Sequence, residues 1–220
     1  MSQTEPHDYV SAVFIHLLQP LADLCDRMLQ LQSGEPNEVQ AAPRENGYAI
    51  SIVGLAAFLL EGACARARYV SNSNKSRASA ADTFRDLGEG AIGDKVEEIF
   101  VVRDAIAHSH LWTAKISWTE NDLNFVEPPT RLRGFGDKKF QKNVDLTSRM
   151  TRKLKLHVFP TRIDRDTALI VLKQTAAALK ILESKDRRFV YLTPQHVAFA
   201  GKLVPFYDWI EQITARDATC

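Results

Sequence analysis

The stretch DKVEEIFVVRDAIAHSHLW, residues 94–112, is where the periodicity of the chain changes. Its apolar residues share one helical stripe: Val96, Ile99, Phe100, Ile106 and Ala107. Asp94, with Glu97 three residues later, is expected to cap the start of this helix. After Trp112 apolar and polar residues alternate, which is typical of a strand. The stretch therefore predicts the end of a helical region and the start of a strand-rich one.

Helical periodicity also covers the chain before this stretch. One helix is predicted from Tyr9 to Leu31, and Pro20 should kink or divide it. After a polar loop, a second helix is predicted from about Gly47 to Val70. Gly54 and Gly62 lower its helix propensity, and they are expected to allow the close approach of another helix.

The strand-rich part is predicted to begin with a hairpin. Residues 114–118 alternate, and the alternation resumes over 123–125 after a turn and ends at the proline pair 128–129. Residues 131–149 carry no regular pattern. The alternation then returns over 154–158, which predicts a third strand.

Two helices are predicted to finish the chain. The first has an apolar face made of Leu169, Leu172, Ala176 and Leu179. Thr193 followed by Pro194 is typical of a helix start and predicts the second. The fold class is therefore mainly α. We expect one domain over all 220 residues, with a helical core at about 9–110 and 162–214 and a small three-strand insertion at about 112–160.

The composition is that of an ordinary globular protein, with 45% hydrophobic residues and a net charge of +1. Contact with a nucleic acid would therefore depend on a local patch. The spacing of Cys25, Cys64 and Cys220 indicates neither a zinc cluster nor a disulfide framework, and no metal or cofactor is expected. The N-terminus lacks a signal-peptide pattern, and the apolar stretch Ala49–Ala65 is too short and too polar for a membrane span. These features predict a cytoplasmic protein without a membrane partner.

Arg103 departs from the pattern of its helix. It lies seven residues after Val96 and four after Ile99, on the stripe expected to face the core or a partner. A guanidinium cannot be deprotonated and is costly to bury unpaired, so an ion-pair partner, a cleft or an interface is predicted there. Glu61, which interrupts the apolar run AAFLLEGACA, is a candidate partner. The alternative is that Glu61 is an exposed residue on the polar side of its own helix.

Asp104 and His108 are spaced i, i+4, which puts them on one helix face. A carboxylate beside an imidazole fixes its tautomer and raises its basicity. Arg103 and His108 are about 140° apart around a regular helix, at about 100° per residue. A symmetric dimer would solve this by bringing two copies of the helix around one groove. The alternative is that Arg103 and Asp104 form a buried ion network and that His108 is a satisfied histidine at a helix end.

The string FVVRDAIAHSHLW, residues 100–112, resembles the signature of HEPN domains: an arginine, a polar residue, three further positions and a histidine near the end of a bundle helix. The resemblance covers mainly residues 47–112. It implies a HEPN-like helical bundle that dimerises and places the paired motifs in a shared cleft. Many members cut RNA without a metal, often as toxins or antiviral effectors. Carried over, Arg103 and His108 would be the catalytic pair and Asp104 the polar residue that orients them.

His110 is a supporting candidate beside this motif. A metal site built from Asp104, His108 and His110 would lack the further ligands and supporting shell that zinc sites usually need. The same spacing of arginine and histidine occurs again at Arg152 and His157, on a predicted strand, and we interpret that match as coincidence.

A basic segment over residues 131–157 holds nine basic residues and two acidic ones, a net charge of +7. The basic residues are Arg131, Arg133, Lys138, Lys139, Lys142, Arg149, Arg152, Lys153 and Lys155. Trp118, Phe135 and Phe140 would add stacking surfaces. This pattern predicts a patch that binds phosphates and guides RNA. The alternative is a solvated loop and strand edge protected by lysines.

The leading functional hypothesis, carried by the resemblance, is a homodimeric, metal-independent endoribonuclease of HEPN type. RNA would be its substrate, and an antitoxin or other regulatory protein a further partner, as in toxin or antiviral-defence systems. The alternative is a non-catalytic HEPN-like module that binds nucleic acid or a partner protein. A third hypothesis, a structural helical adaptor, needs the site residues to be buried and mutually satisfied.

Overall fold

The protein is described by a computed structural model over residues 12–31, 39–72, 78–107, 112–118, 123–131 and 138–215. Its α-helices are α1 (Leu18–Leu29), α2 (Pro43–Val70), α3 (Ala80–Asp86), α4 (Gly90–Ala107), α5 (Lys138–Asn143), α6 (Arg165–Lys185) and α7 (Phe206–Ala215). Its strands pair antiparallel in two-stranded sheets: β1 (Trp112–Trp118) with β2 (Leu123–Arg131), β3 (Val144–Asp145) with β4 (Met150–Thr151), and β5 (His196–Phe199) with β6 (Lys202–Pro205). The predicted mainly α class is confirmed.

Helices α2 and α4 lie at the centre of the packing. Helix α2 contacts α1, α3, α4 and α6. The buried residues of α4 lie on most of its sides: Gly93, Val96, Glu98, Ile99, Phe100, Val101, Val102 and Ala105. The segment predicted as an insertion shares this core, because Phe140, Val144, Leu156 and Val158 belong to the same hydrophobic cluster.

Helix α2 is long and apolar enough, by length and composition alone, to cross a membrane. It extends beyond the stretch Ala49–Ala65 on which the sequence-based exclusion of a span rested, and an 18-residue window of it has a mean hydropathy of 1.8. Half of that window is buried inside the protein. Core helices meet the same criteria, so this is weak evidence for a membrane span.

Three predicted features of the helices are resolved by the structure. Pro20 lies in the first turn of α1, where a missing N–H is tolerated, and a 3-10 turn over Val13–Leu17 runs directly into α1, so the helix type changes before Pro20 but the predicted division does not occur. Pro43 opens α2, earlier than the predicted start. Helix α4 begins at Gly90, so Asp94 lies inside the helix and its predicted capping role is wrong.

The predicted β1–β2 hairpin is confirmed, but its surroundings differ from the prediction. The prolines at 128–129 lie within β2 and do not end it. Residues 131–149, predicted to be irregular, contain α5 and β3. The third strand predicted at 154–158 is wrong, because His157 makes an isolated bridge with Met150 in place of a strand ladder. Buried apolar residues produced the alternation in this loop.

The second of the two predicted C-terminal helices forms, but its predicted start at Thr193-Pro194 is wrong. Residues 196–205 form the β5–β6 hairpin, and α7 begins at Phe206. The two-residue turn, Ala200 and Gly201, has φ values of +49° and +74°, the left-handed conformations that tight hairpins use. Alanine is not typical of such a turn, which explains why the pattern did not indicate it.

The two cysteines among the described residues behave as small buried hydrophobes, as expected. Cys25 and Cys64 are free and fully buried. Burial raises the pKa of the Cys64 thiol to about 12. A thiol in such surroundings is a poor nucleophile.

The expected close approach at the glycines of α2 occurs at one of the two positions. A Cβ at Gly62 would lie 2.9 Å from the Cβ of Phe14, so the 3-10 turn approaches α2 closely there. A Cβ at Gly54 would meet no described atom within 4 Å. The expectation is therefore correct at Gly62 and unsupported at Gly54.

The same substitution, glycine to alanine, is expected to change the stability of the protein in opposite directions at two positions. A Cβ at Gly93 would lie 2.8 Å from the carbonyl oxygen of Ala81 and 3.0 Å from Cγ of Arg85, where α3 crosses α4. We expect Gly93→Ala to lower the free energy of unfolding by about 1–3 kcal/mol through overpacking. Gly54→Ala should raise it by up to about 1 kcal/mol, since alanine has the higher helix propensity. Urea unfolding measures both, and a stabilised Gly93→Ala variant would contradict the close crossing.

Candidate functional site

Arg103 lies near the C-terminal end of α4, and its side chain is 23% exposed. Its Nη1 is 3.1 Å from Oδ1 of Asp104, and its Nη2 is 3.9 Å from Oε2 of Glu61. Its Nε is buried and has no hydrogen-bond partner among the described residues. The guanidinium therefore pairs with Glu61, the candidate partner, and more closely with Asp104, as the alternative of an ion network predicted.

Asp104 connects Arg103 to the basic segment. Its second oxygen, Oδ2, lies 3.8 Å from Nζ of Lys139 on α5. Both cations also lie near the ring of Phe100, with Cζ of Arg103 5.0 Å and Nζ of Lys139 5.8 Å from its centroid. One carboxylate and one aromatic ring thus hold two positive charges on the same side of α4.

The predicted pair of Glu61 and Arg103 forms, although at the long end of the ion-pair range. The Glu61 side chain is 55% exposed, so it also fits the alternative of a solvated glutamate. Exposed ion pairs contribute little to stability, and Asp104 is the closer partner of Arg103. His108 and His110 lie outside the described residues, and Ala107, the residue before His108, is the last of α4.

Carboxylates of α4 neutralise part of the predicted basic patch. Nζ of Lys142 lies 3.0 Å from Oε2 of Glu97, which also accepts a hydrogen bond from Arg85 at 3.1 Å. Lys153 pairs with Asp94, and this bond together with one from Arg85 lowers the pKa of Asp94 to about 2. The segment is therefore attached to α4 by opposite charge, and its positive potential is weaker than a count of residues indicates.

The other predicted RNA-binding residues are spread over several elements. Lys138 lies on α5 and Lys155 on an exposed turn, and the Nε of Arg152 donates to the carbonyl of Lys142 at 3.1 Å. Arg131 contributes the last residue of β2. Arg133, like Phe135, lies outside the described residues. Of the three aromatic residues predicted to stack, Trp118 is exposed and Phe140 is buried.

Glu98 organises the basic segment and was missed by the sequence analysis. It is fully buried on α4. Its Oε1 accepts a hydrogen bond from the backbone N–H of Lys153 and its Oε2 one from that of Leu154, both at 2.8 Å. The sequence did indicate its burial, because Glu98 lies three and four residues before the apolar Val101 and Val102 and so shares a helix face with them.

A second polar cluster, also missed, surrounds His157. Its Nε2 lies 3.6 Å from Oδ2 of Asp164, the N-cap of α6. Burial lowers the pKa of His157; Asp164 opposes this, and the charges of Arg162 and Arg149 lower the pKa further. The match of Arg152 and His157 to the spacing of the motif is a coincidence of sequence, but His157 does belong to a charged cluster.

No family model, no curated protein and no solved structure matches this chain.

Proposed function

We propose that the protein is a metal-independent endoribonuclease of HEPN type that uses Arg103 and His108. The observation that carries the proposal is the state of Arg103. Its guanidinium is 23% exposed and is held by Asp104 and Phe100. A planar fork of donors that is fixed in place and reachable from solvent suits a phosphate of an anionic substrate.

The chemistry of RNA suits these two side chains. The 2′-hydroxyl of RNA attacks the neighbouring phosphorus, and the bond from phosphorus to the 5′-oxygen breaks. In the proposed mechanism one His108 takes the proton from the 2′-hydroxyl as a base, and the His108 of a second copy gives a proton to the leaving 5′-oxygen as an acid. Arg103 stabilises the charge on the phosphorane with its planar fork of donors. The products are a 2′,3′-cyclic phosphate and a 5′-hydroxyl end.

In the proposed active form two copies of α4 share one cleft, as the resemblance to HEPN domains implies. Phe58 supports this arrangement, because it is 53% exposed and lies three residues before Glu61, on the same side of α2. An apolar side chain next to the Arg103 site suits a contact between two copies. The dimer would bring two His108 side chains to one RNA, one as base and one as acid.

The test is RNA cleavage in EDTA by the wild type, Arg103→Ala and His108→Ala, with Arg188→Ala as a control at an exposed arginine far along the chain. The wild type and the control should cleave, and the two site variants should lose at least about 100-fold in rate. The new ends should be 2′,3′-cyclic phosphates. End analysis by mass spectrometry distinguishes them from other termini.

Two results would contradict the proposal. Products with 3′-hydroxyl ends would exclude attack by the 2′-hydroxyl. No cleavage of any RNA in a panel of single-stranded, duplex and transfer RNAs would favour the alternative, a non-catalytic module that binds nucleic acid or a protein.

A further inference from the structure

One face of the β1–β2 hairpin carries an aromatic and apolar strip. The register pairs Ile116 with Phe125 and Trp118 with Leu123, and directly opposed residues share a face. Phe125 packs edge-on against the buried ring of Phe159, with 5.6 Å between the centroids. Ile116, directly opposite Phe125, is 47% exposed, and Trp118, in the last pair of β1, is 83% exposed. The strip is therefore anchored on the core at Phe125 and exposed to solvent at Trp118.

Two arginines lie near the rings of Phe125 and Phe159. Cζ of Arg149 lies 5.1 Å from the centroid of the Phe125 ring, so the guanidinium covers one face of that ring. Arg162, in the turn before α6, has a buried Nη1 without a partner among the described residues. The backbone N–H of Val158 donates to the carbonyl of Arg149 at 3.0 Å, and that of Arg162 donates to the carbonyl of Phe159 at 2.9 Å, so both arginines lie next to the segment that holds His157 and Phe159. The cluster thus brings two cations together beside an aromatic surface.

Asp164, the acidic residue of this cluster, also accepts hydrogen bonds from α6. Oδ1 of Asp164 accepts hydrogen bonds from the backbone N–H and the hydroxyl of Thr167, at 3.0 and 2.8 Å. It caps the positive end of α6, which offsets part of its charge. The two arginines exceed the single carboxylate in either protonation state of His157, and the cluster keeps a net positive charge.

We propose that this hairpin–arginine surface, made of Ile116, Trp118, Phe125, Arg149 and Arg162, binds single-stranded RNA. The arginines contact phosphates, and an unpaired base stacks on Trp118. An exposed tryptophan beside cations is the combination that single-strand binding uses, because every base has a stacking face and every nucleotide a phosphate. The inference rests on the proposed function, because RNA is the ligand in both. It predicts that the protein cleaves RNA in unpaired segments.

The experiment measures binding separately from cleavage. A fluorescein-labelled decamer of uridylate is titrated with the His108→Ala protein, alone and combined with Arg149→Gln, Arg162→Gln or Trp118→Ala. Each arginine variant should raise Kd about tenfold, and the slope of log Kd against log salt should fall by about 0.7 per arginine. Trp118→Ala should raise Kd at least about fivefold. Because Trp118 is exposed, its variant keeps the fold even if an arginine variant does not.

Matched controls remove the same groups elsewhere. Arg188→Gln removes an exposed arginine and Tyr69→Ala an exposed aromatic ring on α2, and both should leave Kd unchanged. Duplex RNA of the same length should bind more weakly than the decamer, since its bases are not free to stack. In the otherwise wild-type protein, Arg149→Gln should raise KM for a single-stranded substrate and leave kcat unchanged.

Three outcomes would overturn the inference. An unchanged Kd in Trp118→Ala and both arginine variants would exclude this surface. A loss of inorganic phosphate binding with unchanged RNA affinity would assign the arginines to a small anion. A change from dimer to monomer in Trp118→Ala, with unchanged RNA affinity, would make the strip a contact between copies. Failure of cleavage alone would overturn the proposed nuclease but not this binding surface.

Discussion

Arg103→Lys is expected to lower the rate of RNA cleavage about 100-fold and to leave the stability of the protein nearly unchanged. Lysine keeps the positive charge and can still reach Asp104, which lies 3.1 Å from the guanidinium. It loses the planar fork that holds two phosphate oxygens at once, and removal of one such donor typically costs about 100-fold or more. Initial rates with saturating RNA measure the first effect, and thermal unfolding measures the second.

The control makes the same chemical change where no substrate is expected. Arg188→Lys replaces an exposed arginine that pairs with Asp186 at 2.6 Å, and it should cleave like the wild type. Wild-type cleavage by Arg103→Lys would show that the fork is not used in the reaction. Loss of folding in Arg103→Lys would instead support the structural ion network as the role of Arg103.

Glu98→Ala is expected to lower the free energy of unfolding by about 3–5 kcal/mol. The substitution removes a fully buried carboxylate that accepts the backbone N–H groups of Lys153 and Leu154. Each buried donor left without a partner costs about 1–3 kcal/mol, and the lost side chain leaves a cavity. Urea unfolding measures the change, and loss of protection of these two amides in hydrogen exchange locates it.

Two further variants serve as controls for this effect. Glu98→Gln keeps the volume and one acceptor oxygen, so it should lower the free energy of unfolding by about half as much as Glu98→Ala does. Glu127→Ala removes an exposed glutamate that pairs with Lys115 on the surface of the hairpin, and it should change the unfolding midpoint little. A Glu98→Ala protein as stable as Glu127→Ala would contradict the role of Glu98 in holding the basic segment on α4.

Patterns that depend on local periodicity were predicted well. Helix α6 was identified because it has one buried face with a helical period, and the β1–β2 hairpin was identified because apolar and polar residues alternate along both strands. The strand predicted at 154–158 failed because burial in a loop gave the same alternation as a strand. The helix start predicted at Thr193 failed because a helix cap and a turn use the same residue types, and pairing across the β5–β6 hairpin decided between them.

The sequence by itself determined the mainly α class, the position of Arg103 and Asp104 on one helix, and the concentration of positive charge after the hairpin. These properties follow from neighbours along the chain. Only the tertiary structure decided which charges remain available, because the carboxylates that pair with Lys142 and Lys153 lie on α4, far away in sequence. It alone brought Arg149 over the ring of Phe125 and placed Arg149 and Arg162 beside the segment that holds His157. Charge acts through space, and no periodicity in the sequence records such distances.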